Sequence, residues 1–191
     1  YPEEGFNYSK IINYGVKNSD GEFIVQLNND TEIETEDWLE DMLGFASRDD
    51  VGAVGVKLFY PDGTIQHAGI VFGVDRVATH LFRGLPRGVH GYFARESTIQ
   101  DFSAVTAACM MAKRSVYEEV GYMDEENFAV AFNDVDFCLK IRQAGYLIVY
   151  NPYIEFMHYE SKTRGYEDTP EKKARFERES NNFKTKWRKV L

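Results

Sequence analysis

The sequence is short of the features that define several common protein classes. It has only two cysteines, Cys109 and Cys138, which are too few for a disulfide framework and have no paired Cys-x-x-Cys spacing for zinc. No apolar run approaches the roughly 18 residues that a membrane-spanning helix needs. Basic residues are outnumbered, with 22 Lys and Arg against 31 Asp and Glu, which argues against a general nucleic-acid-binding protein. The few cysteines favour a reduced compartment.

The residues that are present predict one globular domain of ordinary size. A chain of 191 residues with 43% hydrophobic and 15% aromatic residues can bury a substantial core and is not disordered. Its net charge is −9, but residues 162–191 carry ten basic against five acidic side chains. This tail fits contact with anionic lipid or an acidic partner, and it also fits a solvated helix face, which is the commoner case.

Hydrophobic patterning predicts alternating helices and strands. Apolar spacing and end signals predict helices over residues 7–18, 36–46, 114–120, 134–144 and 169–191. Short apolar runs predict strands over residues 23–27, 51–60, 65–72, 102–112, 146–150 and 153–157. The strand–helix–strand order predicts an α/β sheet with parallel pairing. We expect the C-terminal helix to dock on the rest of the domain through a stripe formed by Phe176, Phe183, Trp187 and Val190.

Three polar residues, Asn28, Asn29 and Asp30, follow directly after the strand predicted at 23–27. Ligands of open α/β sheets collect at the carboxyl ends of strands. A carboxylate flanked by amide oxygens at such a place suits Mg²⁺ or Mn²⁺, which prefer oxygen ligands. The same residues suit a turn that ends the strand. Local spacing therefore leaves metal binding and turn formation as equal alternatives.

Two further positions have side chains that could carry chemistry. Asp134 lies at the predicted start of a helix, after a loop-like aromatic stretch, and could act as a general base beside a cavity. Helix capping is the commoner role for an acid at that position. His158 follows an extended apolar segment and could bind a metal through a neutral imidazole nitrogen. A lone histidine is more often a hydrogen-bonded structural residue, and the same holds for His67, His80 and His90.

Several short motifs carry more information in their order than any one of them carries alone. They are FNYS at 6–9 with Asn13, GEFI at 21–24, LNNDTE at 27–32, DGTIQHAG at 62–69, VTAAC at 105–109, VGYMDE at 120–125, NDVDFCLK at 133–140, GY at 145–146 and HYES at 158–161. With these motifs the chain resembles the family 2 inverting glycosyltransferases of GT-A fold, in particular their bacterial rhamnosyltransferase-like members. The resemblance covers nearly all of the chain.

The resemblance implies a mechanism and assigns residues to it. Asn28, Asn29 and Asp30 stand where the family has its Asp-x-Asp-type motif, which binds a divalent metal (Mn²⁺ or Mg²⁺) and the diphosphate of a nucleotide-sugar donor. Asp30 would ligate the metal, with His158 as a further metal ligand. Asp134 would be the catalytic base that removes a proton from the acceptor hydroxyl. The residues that the resemblance places in the acceptor site are Thr106, Ala107, Asp124 and Asn133.

The resemblance also implies the architecture. We expect a mixed, Rossmann-like α/β sheet of GT-A type flanked by helices, in a single domain over residues 1–191. The family begins with a βα unit that holds the nucleoside, and nothing in the chain corresponds to it. We therefore expect the C-terminal portion of a GT-A domain, inactive by itself, with an exposed sheet edge that favours self-association. Asn28 and Asn133 depart from the Asp and Glu usual at those positions.

The function expected from the resemblance is metal-dependent, inverting transfer of a sugar to a hydroxyl of a glycan or lipid-linked acceptor by the intact enzyme. Its expected location is the cytoplasm, with peripheral contact at the inner face of the membrane left open, and no nucleic-acid partner is expected. One alternative is a non-catalytic carbohydrate-binding or scaffold relative, which Asn28 and Asn133 favour. Another is a phosphohydrolase using Asp30, Asp134 and His158, which lacks the second carboxylate cluster of a two-metal site. Sugar transfer requires these last three residues to converge on one crevice.

Overall fold

The computed structural model describes residues 5–73, 77–160 and 169–190. Ser161 of the HYES motif and residues 162–168 of the basic tail lie outside the described residues. Within the described ranges, no helix combines the length and the apolar character needed to cross a membrane. The helices are α1 (Tyr8–Lys17), α2 (Trp38–Ala46), α3 (Arg114–Val120), α4 (Asn133–Gln143) and α5 (Pro170–Trp187), with a short 3-10 helix over Tyr92–Ser97. The strands are β1 (Phe23–Leu27), β2 (Thr31–Ile33), β3 (Val51–Phe59), β4 (Ile65–His67), β5 (Ile70–Phe72), β6 (Ala78–His80), β7 (Gln100–Asp101), β8 (Cys109–Lys113) and β9 (Leu147–His158).

Seven of these strands form one mixed sheet. Its order is β1–β8–β3–β9–β2, with β4 paired to β3 and β7 paired to β9. β3 and β9 pair in parallel, whereas the other pairs in this sheet are antiparallel. β5 and β6 form a separate two-stranded antiparallel sheet. The expected α/β class, with a mixed sheet flanked by helices, is confirmed.

The sequence predicts that β1 and β3, joined by α2, pair in parallel. They do run in the same direction, but they are not neighbours in the sheet. β8 lies between β1 and β3 and is antiparallel to both of them. β1 and β3 therefore run in the same direction without pairing. A helical connection fixes the relative direction of two strands, but it leaves room between them that a later strand can fill.

The sheet lies between two helical layers. All nine residues of its central strand, β3, are buried, as expected for a strand covered on both faces. One face packs against α2 through Met42 and Ala46. The other face packs against α1, α3, α4 and α5, which contribute Val16, Val116, Phe137 and Phe183. This double cover holds the strand ends, and the polar residues that follow them, in fixed positions.

Two of the predicted strands are interrupted in the structure. Of the strand predicted over 102–112, only the part from Cys109 onwards is a strand (β8), and residues 102–108, which follow β7, are irregular. In this segment the Phe102 amide bonds to the Ile148 carbonyl, while Ala104 bonds to Ile70 of the small sheet. The strand predicted over 65–72 divides at Gly69, whose φ of +93° turns the chain between β4 and β5.

Two predicted strands are instead one continuous strand, β9. In its pairing with β3, Asn151 lies opposite Val56, whereas Glu155 lies opposite the next residue, Lys57. The three residues of β9 between Asn151 and Glu155 therefore form an irregularity. Pro152 is one of them, and it has no N–H to donate to a ladder. The bulge accommodates this proline without ending the strand.

The C-terminal helix α5 packs on the α4 side of the sheet. Phe183 is fully buried and stacks on Phe132 with ring centroids 5.2 Å apart. Trp187 is also buried, and its Nε1–H donates to the buried Asp136 at 2.8 Å. The other two residues of the expected stripe stay about half exposed: Phe176 and Val190.

Candidate functional site

Polar residues from four distant parts of the chain line one crevice of about 470 Å³. Three of them follow β1, one ends β9, two lie in the first turn of α4, and a run of small residues precedes β8. In that order they are Asn28, Asn29 and Asp30, then His158, then Asn133 and Asp134, then Thr106, Ala107 and Ala108. Asp30, Asp134 and His158, whose convergence sugar transfer requires, therefore share one cavity.

The side chains of Asp30 and His158 are adjacent because β2 begins at Thr31, which pairs with His158 in β9. His158 Nε2 lies 3.1 Å from Asp30 Oδ1 and 3.3 Å from Asn28 Nδ2. The other ring nitrogen, His158 Nδ1, lies 2.6 Å from Gln66 Oε1. His158 and Gln66 are buried, so the imidazole is held on both sides.

The hydrogen bonds of Gln66 identify the tautomer of His158. Gln66 Nε2 donates to the His158 carbonyl oxygen at 3.3 Å, so Gln66 Oε1 is the atom that accepts from the ring. The Nδ1–H of His158 is therefore the donor, and in the neutral ring Nε2 has a lone pair that faces the Asp30 carboxylate. Two electron-rich groups 3.1 Å apart need a proton or a metal cation between them. The pair fits a divalent cation that binds one carboxylate and one imidazole.

The crevice is acidic. Its described lining includes Asp30, Asp134 and Glu160 and contains no Lys or Arg. An anionic ligand such as a diphosphate would therefore need a counter-charge to bind there. Within the described ranges, no three His, Cys, Asp or Glu side chains form a group that could hold a metal by themselves. Mg²⁺ is commonly held by one or two carboxylates together with water and substrate phosphates, which suits an incomplete protein site of this kind.

Asp134 is oriented by backbone N–H groups on both of its carboxylate oxygens. Oδ1 accepts from the Val135 N–H at 2.8 Å, and Oδ2 accepts from the Ala107 N–H at 3.3 Å. Asn133 Oδ1 accepts from the Asp134 N–H at 2.6 Å, while its Nδ2 donates to the Val130 carbonyl at 2.9 Å. Asp134 thus bonds within the first turn of α4 and also lines the crevice, so the capping and general-base interpretations are compatible.

Tyr8 is a crevice residue to which the sequence analysis gave no role. Its hydroxyl lies 3.3 Å from both Asn28 Oδ1 and the Ala107 carbonyl oxygen, and so joins the segment after β1 to the segment before β8. Burial, and then the nearby carboxylates of Asp134 and Asp30, raises the pKa of this phenol, which keeps it a hydrogen-bond donor. Its place in the FNYS motif is the available sequence signal.

One wall of the crevice is apolar and was also not anticipated. It is formed by α1 with the residue before it, the end of β1 and the loop before α4, and its members are Phe6, Ile11, Ile12, Leu27 and Val130. Phe6, Ile11 and Leu27 each remain about 40% exposed, so an accessible apolar surface borders the polar groups. Such a combination is typical of sites for small organic ligands, in which apolar walls surround a few polar groups.

Asp124 is an expected acceptor-site residue that the structure does not bring into the crevice. Its carboxylate accepts from the Asn127 N–H at 3.0 Å and pairs with Lys186 of α5 at 3.1 Å. Burial would raise the pKa of Asp124, but the Asn127 hydrogen bonds and the Lys186 charge lower it. In the structure Asp124 ties the loop before α4 to the C-terminal helix, and its acceptor-site role stays a prediction.

Comparison with known proteins gives matches along most of the chain. A sequence model described as Glycosyl transferase family 2 matches residues 2–121. The uncharacterized protein y4gI of Sinorhizobium fredii is 49% identical over 183 residues, which are 96% of this chain and 20% of that protein. The O-antigen biosynthesis protein RfbC of Myxococcus xanthus is 38% identical over 167 residues, 87% of this chain and 13% of that protein. The chain thus spans a fifth or less of these two relatives.

A more distant relative and two solved structures point the same way. The N-acetylglucosaminyl-diphospho-decaprenol L-rhamnosyltransferase of Mycobacterium tuberculosis is 27% identical over 127 residues, 60% of this chain and 39% of that protein. The structure of GalNAc-T7 with UDP, GalNAc and Mn²⁺ has a TM-score of 0.62 at 13% identity, over 86% of this chain and 32% of that one. The structure of the mannosyltransferase PcManGT from Pyrobaculum calidifontis, with GDP-Man and Mn²⁺, has a TM-score of 0.54 at 18% identity. This match covers 83% of this chain and 37% of that one. At these identities the likeness is one of fold, and it confirms the expected GT-A type.

Proposed function

The chain belongs to glycosyl transferase family 2, and from that premise we propose that its crevice serves metal-dependent, inverting transfer of a sugar from a nucleotide-sugar donor to an acceptor hydroxyl. The observation that carries the proposal is that Asp30, Asp134 and His158 share one cavity. The names of the Myxococcus and Mycobacterium relatives support a glycan or lipid-linked acceptor. Because the chain spans only part of each relative, the activity of those whole proteins reaches this chain only as part of the proposal.

We assign the divalent cation, Mn²⁺ or Mg²⁺, to Asp30 and His158. The two structural neighbours were each solved with Mn²⁺ and a nucleotide, which supports a cation of this kind. When bound, the cation would supply Lewis-acid stabilisation of the charge that develops on the departing diphosphate. Asn28 and Asn29 would contact that diphosphate through neutral amides. Gln66 would keep the His158 ring oriented for its role.

We assign the general base to Asp134. A base must lie within hydrogen-bond reach of the proton that it removes, and Asp134 lines the crevice beside Thr106 and Asn133, where an acceptor hydroxyl would bind. As Asp134 takes the proton, the acceptor oxygen forms a bond to the anomeric carbon. The bond from that carbon to the diphosphate breaks on the opposite face, so the configuration inverts. The Val135 and Ala107 amides keep the carboxylate directed at this position.

The proposed setting is the cytoplasm. Cys109 and Cys138 are buried free thiols, which is in keeping with a reducing compartment. A lipid-linked acceptor would bring the protein into peripheral contact with the inner face of the membrane. β1 is the outermost strand at one side of the described sheet, so self-association through this edge also stays a prediction.

Binding of a nucleoside diphosphate with Mn²⁺ tests the donor site. We expect UDP or GDP with Mn²⁺ to raise the melting temperature of the chain, and a chelator to reverse the rise. At a ligand concentration of about 100 times Kd the stabilisation is about 2.7 kcal/mol, which corresponds to several degrees for a chain of this size. Asp30→Asn should remove the shift, whereas Asp20→Asn at an exposed position should keep it. Absence of a Mn²⁺-dependent shift with every nucleoside diphosphate would contradict the proposal.

Replacement of Asp134 by Asn tests the base. We expect the loss of a general base to lower the rate of sugar transfer by about 10²–10⁴-fold while Mn²⁺-dependent donor binding is kept. A screen of nucleotide sugars with the longest chain that contains this sequence would provide the transfer assay. Turnover retained in the Asp134→Asn variant would remove Asp134 from the mechanism.

A non-catalytic carbohydrate-binding relative is the second candidate. Asn28 and Asn133 favour it, because each puts a neutral amide where the resembled family commonly has a carboxylate. Binding of glycans without Mn²⁺-dependent nucleotide binding or turnover would favour this candidate over sugar transfer.

A further inference from the structure

A second cavity, here called the side pocket, adjoins the crevice. It encloses about 110 Å³ and shares three residues with the crevice: Thr106, His158 and Glu160. Its remaining walls are Tyr60, Gln66, His80 and Arg83. A ligand in the crevice could therefore extend past His158 into the side pocket. Neither the assigned metal ligands nor the assigned base accounts for His80, Arg83 or Tyr60.

His80 in the wall of the side pocket and His67 behind it form a directed chain of hydrogen bonds. His67 is fully buried, and its Nδ1 lies 2.9 Å from His80 Nδ1. The Gly69 N–H donates to His67 Nε2 at 3.4 Å, so this nitrogen carries no hydrogen and the proton of neutral His67 is on Nδ1. His67 then donates to His80 Nδ1, and neutral His80 must carry its own proton on Nε2. Burial lowers the pKa of both rings, which keeps them neutral.

The Nε2–H of His80 is a hydrogen-bond donor without a partner in the described part of the chain. Because His80 Nδ1 faces His67, the opposite edge of the ring is the one that lines the side pocket. The hydroxyl of Tyr60, beside Arg83 and Glu160, adds a group that can donate or accept a hydrogen bond. Arg83 adds further donors, and Glu160 adds an acceptor. The walls of the side pocket therefore present hydrogen-bond donors and an acceptor to a polar ligand, with the His80 Nε2–H as the donor that has no described partner.

The size and charge of the side pocket limit what it can bind. At about 110 Å³ the side pocket has about a quarter of the volume of the crevice, which is about 470 Å³. That is too small for a nucleoside and suits one edge of a sugar ring. Arg83 and Glu160 carry opposite charges, so the walls favour a neutral ligand with several hydroxyl groups over a phosphate.

We propose that the side pocket binds the hydroxyl edge of a sugar ring, with His80 Nε2–H donating to one ring hydroxyl. His67 is a positioning residue, because its buried hydrogen bonds select the tautomer in which His80 is a donor. The inference rests on the proposed sugar-transfer function and extends it to the residues that recognise the sugar. Either the donor sugar or a sugar of the acceptor has this chemistry, and the experiment separates the two.

Calorimetric binding to the His80 variants tests the proposal. The probes are UDP-GlcNAc, UDP-GalNAc, GDP-mannose and dTDP-rhamnose with Mn²⁺, each compared with its own nucleoside diphosphate. For the nucleotide sugar that the wild-type chain binds most tightly, we expect His80→Leu to weaken binding by about tenfold and to leave nucleoside diphosphate affinity within about twofold. His80→Gln keeps an N–H donor and should restore most of the loss. His90→Leu is the matched control, since this histidine is 67% exposed and bonds to Glu96.

His67 is tested by the ratio of nucleotide-sugar affinity to nucleoside diphosphate affinity. His67→Leu removes the hydrogen bond to His80, and we expect this ratio to fall as in His80→Leu, whereas His67→Gln keeps a donor and should preserve it. A purely structural role would lower the melting temperature and leave the ratio unchanged, which would remove His67 as a positioning residue.

Methyl glycosides of the same sugars, observed by saturation-transfer NMR without nucleotide, distinguish the source of the ring. Loss of the glycoside signal in His80→Leu, with nucleotide-sugar binding unchanged, would assign the pocket to the acceptor sugar. Glycoside binding that depends on His80, in a chain that binds no nucleoside diphosphate, would leave the pocket standing and end the sugar-transfer proposal. If a folded His80→Leu chain binds both nucleotide sugars and glycosides like the wild type, the side-pocket proposal is overturned.

Discussion

Replacing Gln66 with Leu removes the side chain that orients His158, and both assigned metal ligands, Asp30 and His158, are kept. Gln66 is 6% exposed, and its Oε1 lies 2.6 Å from His158 Nδ1. Leucine has a similar volume, so the cavity left behind is small, but the ring loses its acceptor. His158 can then place its proton on either nitrogen, and Nε2 no longer presents a fixed lone pair towards Asp30. We expect weaker Mn²⁺-dependent binding of UDP or GDP.

Two losses of different size and origin are expected from this change. Loss of the hydrogen-bond partner of a metal-binding histidine lowers metal affinity by about 10–100-fold, which corresponds to about 1.4–2.7 kcal/mol of binding free energy. In addition, an unpaired His158 N–H at a site only 7% exposed costs about 1–3 kcal/mol of folding free energy. For a chain of this size each kcal/mol lowers the melting temperature by about 2–4 °C. The affinity loss and the stability loss can therefore be measured apart.

Titration calorimetry of Mn²⁺ with UDP or GDP, below the melting temperature of every variant, measures the affinity. Gln66→Glu keeps an acceptor oxygen opposite Nδ1 and should retain Mn²⁺-dependent binding. Gln143→Leu, at an exposed position at the end of α4, controls for loss of an amide elsewhere. A folded Gln66→Leu chain with unchanged Mn²⁺-dependent affinity would refute the reasoning, because His158 would then need no fixed tautomer.

Three further predictions concern stability and reactivity. A Cβ at Gly55 would lie 2.4 Å from Val105 Cβ, so Gly55→Ala should destabilise the chain by about 1–3 kcal/mol in denaturant unfolding, and an unchanged midpoint would contradict this contact. Burial holds the pKa of His67 well below its usual value. Below about pH 6.5, His67 is therefore protonated in the unfolded chain but stays neutral in the folded chain. His67 should therefore lower the free energy of unfolding by about 1.4 kcal/mol at pH 5.5. Unfolding measured at pH 7.5 and 5.5 should show this loss in the wild-type chain and not in the His67→Phe variant. Burial raises the pKa of Cys109 and Cys138 to about 12, so neither thiol should react with a disulfide reagent at pH 8 before unfolding, and rapid reaction of the native chain would exclude this burial.

Local structure was predictable where one physical signal dominated. The apolar run of β1 and the helix α3, which ends at Gly121 with a φ of +81°, match their expected bounds. The strand β2 (Thr31–Ile33) was not predictable, because its residues are half-buried or exposed and carry no hydrophobic pattern. It is a strand because β9 provides a pairing partner more than 120 residues later. The insertion of β8 between β1 and β3 is non-local in the same way.

The candidate site was predictable as a set of residues but not as a set of contacts. Motif order pointed to Asp30, Asp134 and His158, and these residues do share a cavity. The role of Gln66 depends on which of its atoms faces an imidazole 92 positions away, and no spacing rule encodes that. The ion pair of Asp124 was not predictable for a related reason, since its partner Lys186 lies 62 positions further along the chain.

The three-residue strand β2 has a consequence for how the site opens. Asp30 comes immediately before β2, and its carbonyl accepts from the Tyr159 N–H at 2.9 Å, just beyond the end of β9. Edge strands that are short and little buried are the parts of a fold that detach at the lowest free energy. Fraying of β2 would carry Asp30 away from His158 while the rest of the sheet stayed folded. Exchange of the proposed cation would then need only the detachment of one short outer strand, without global unfolding.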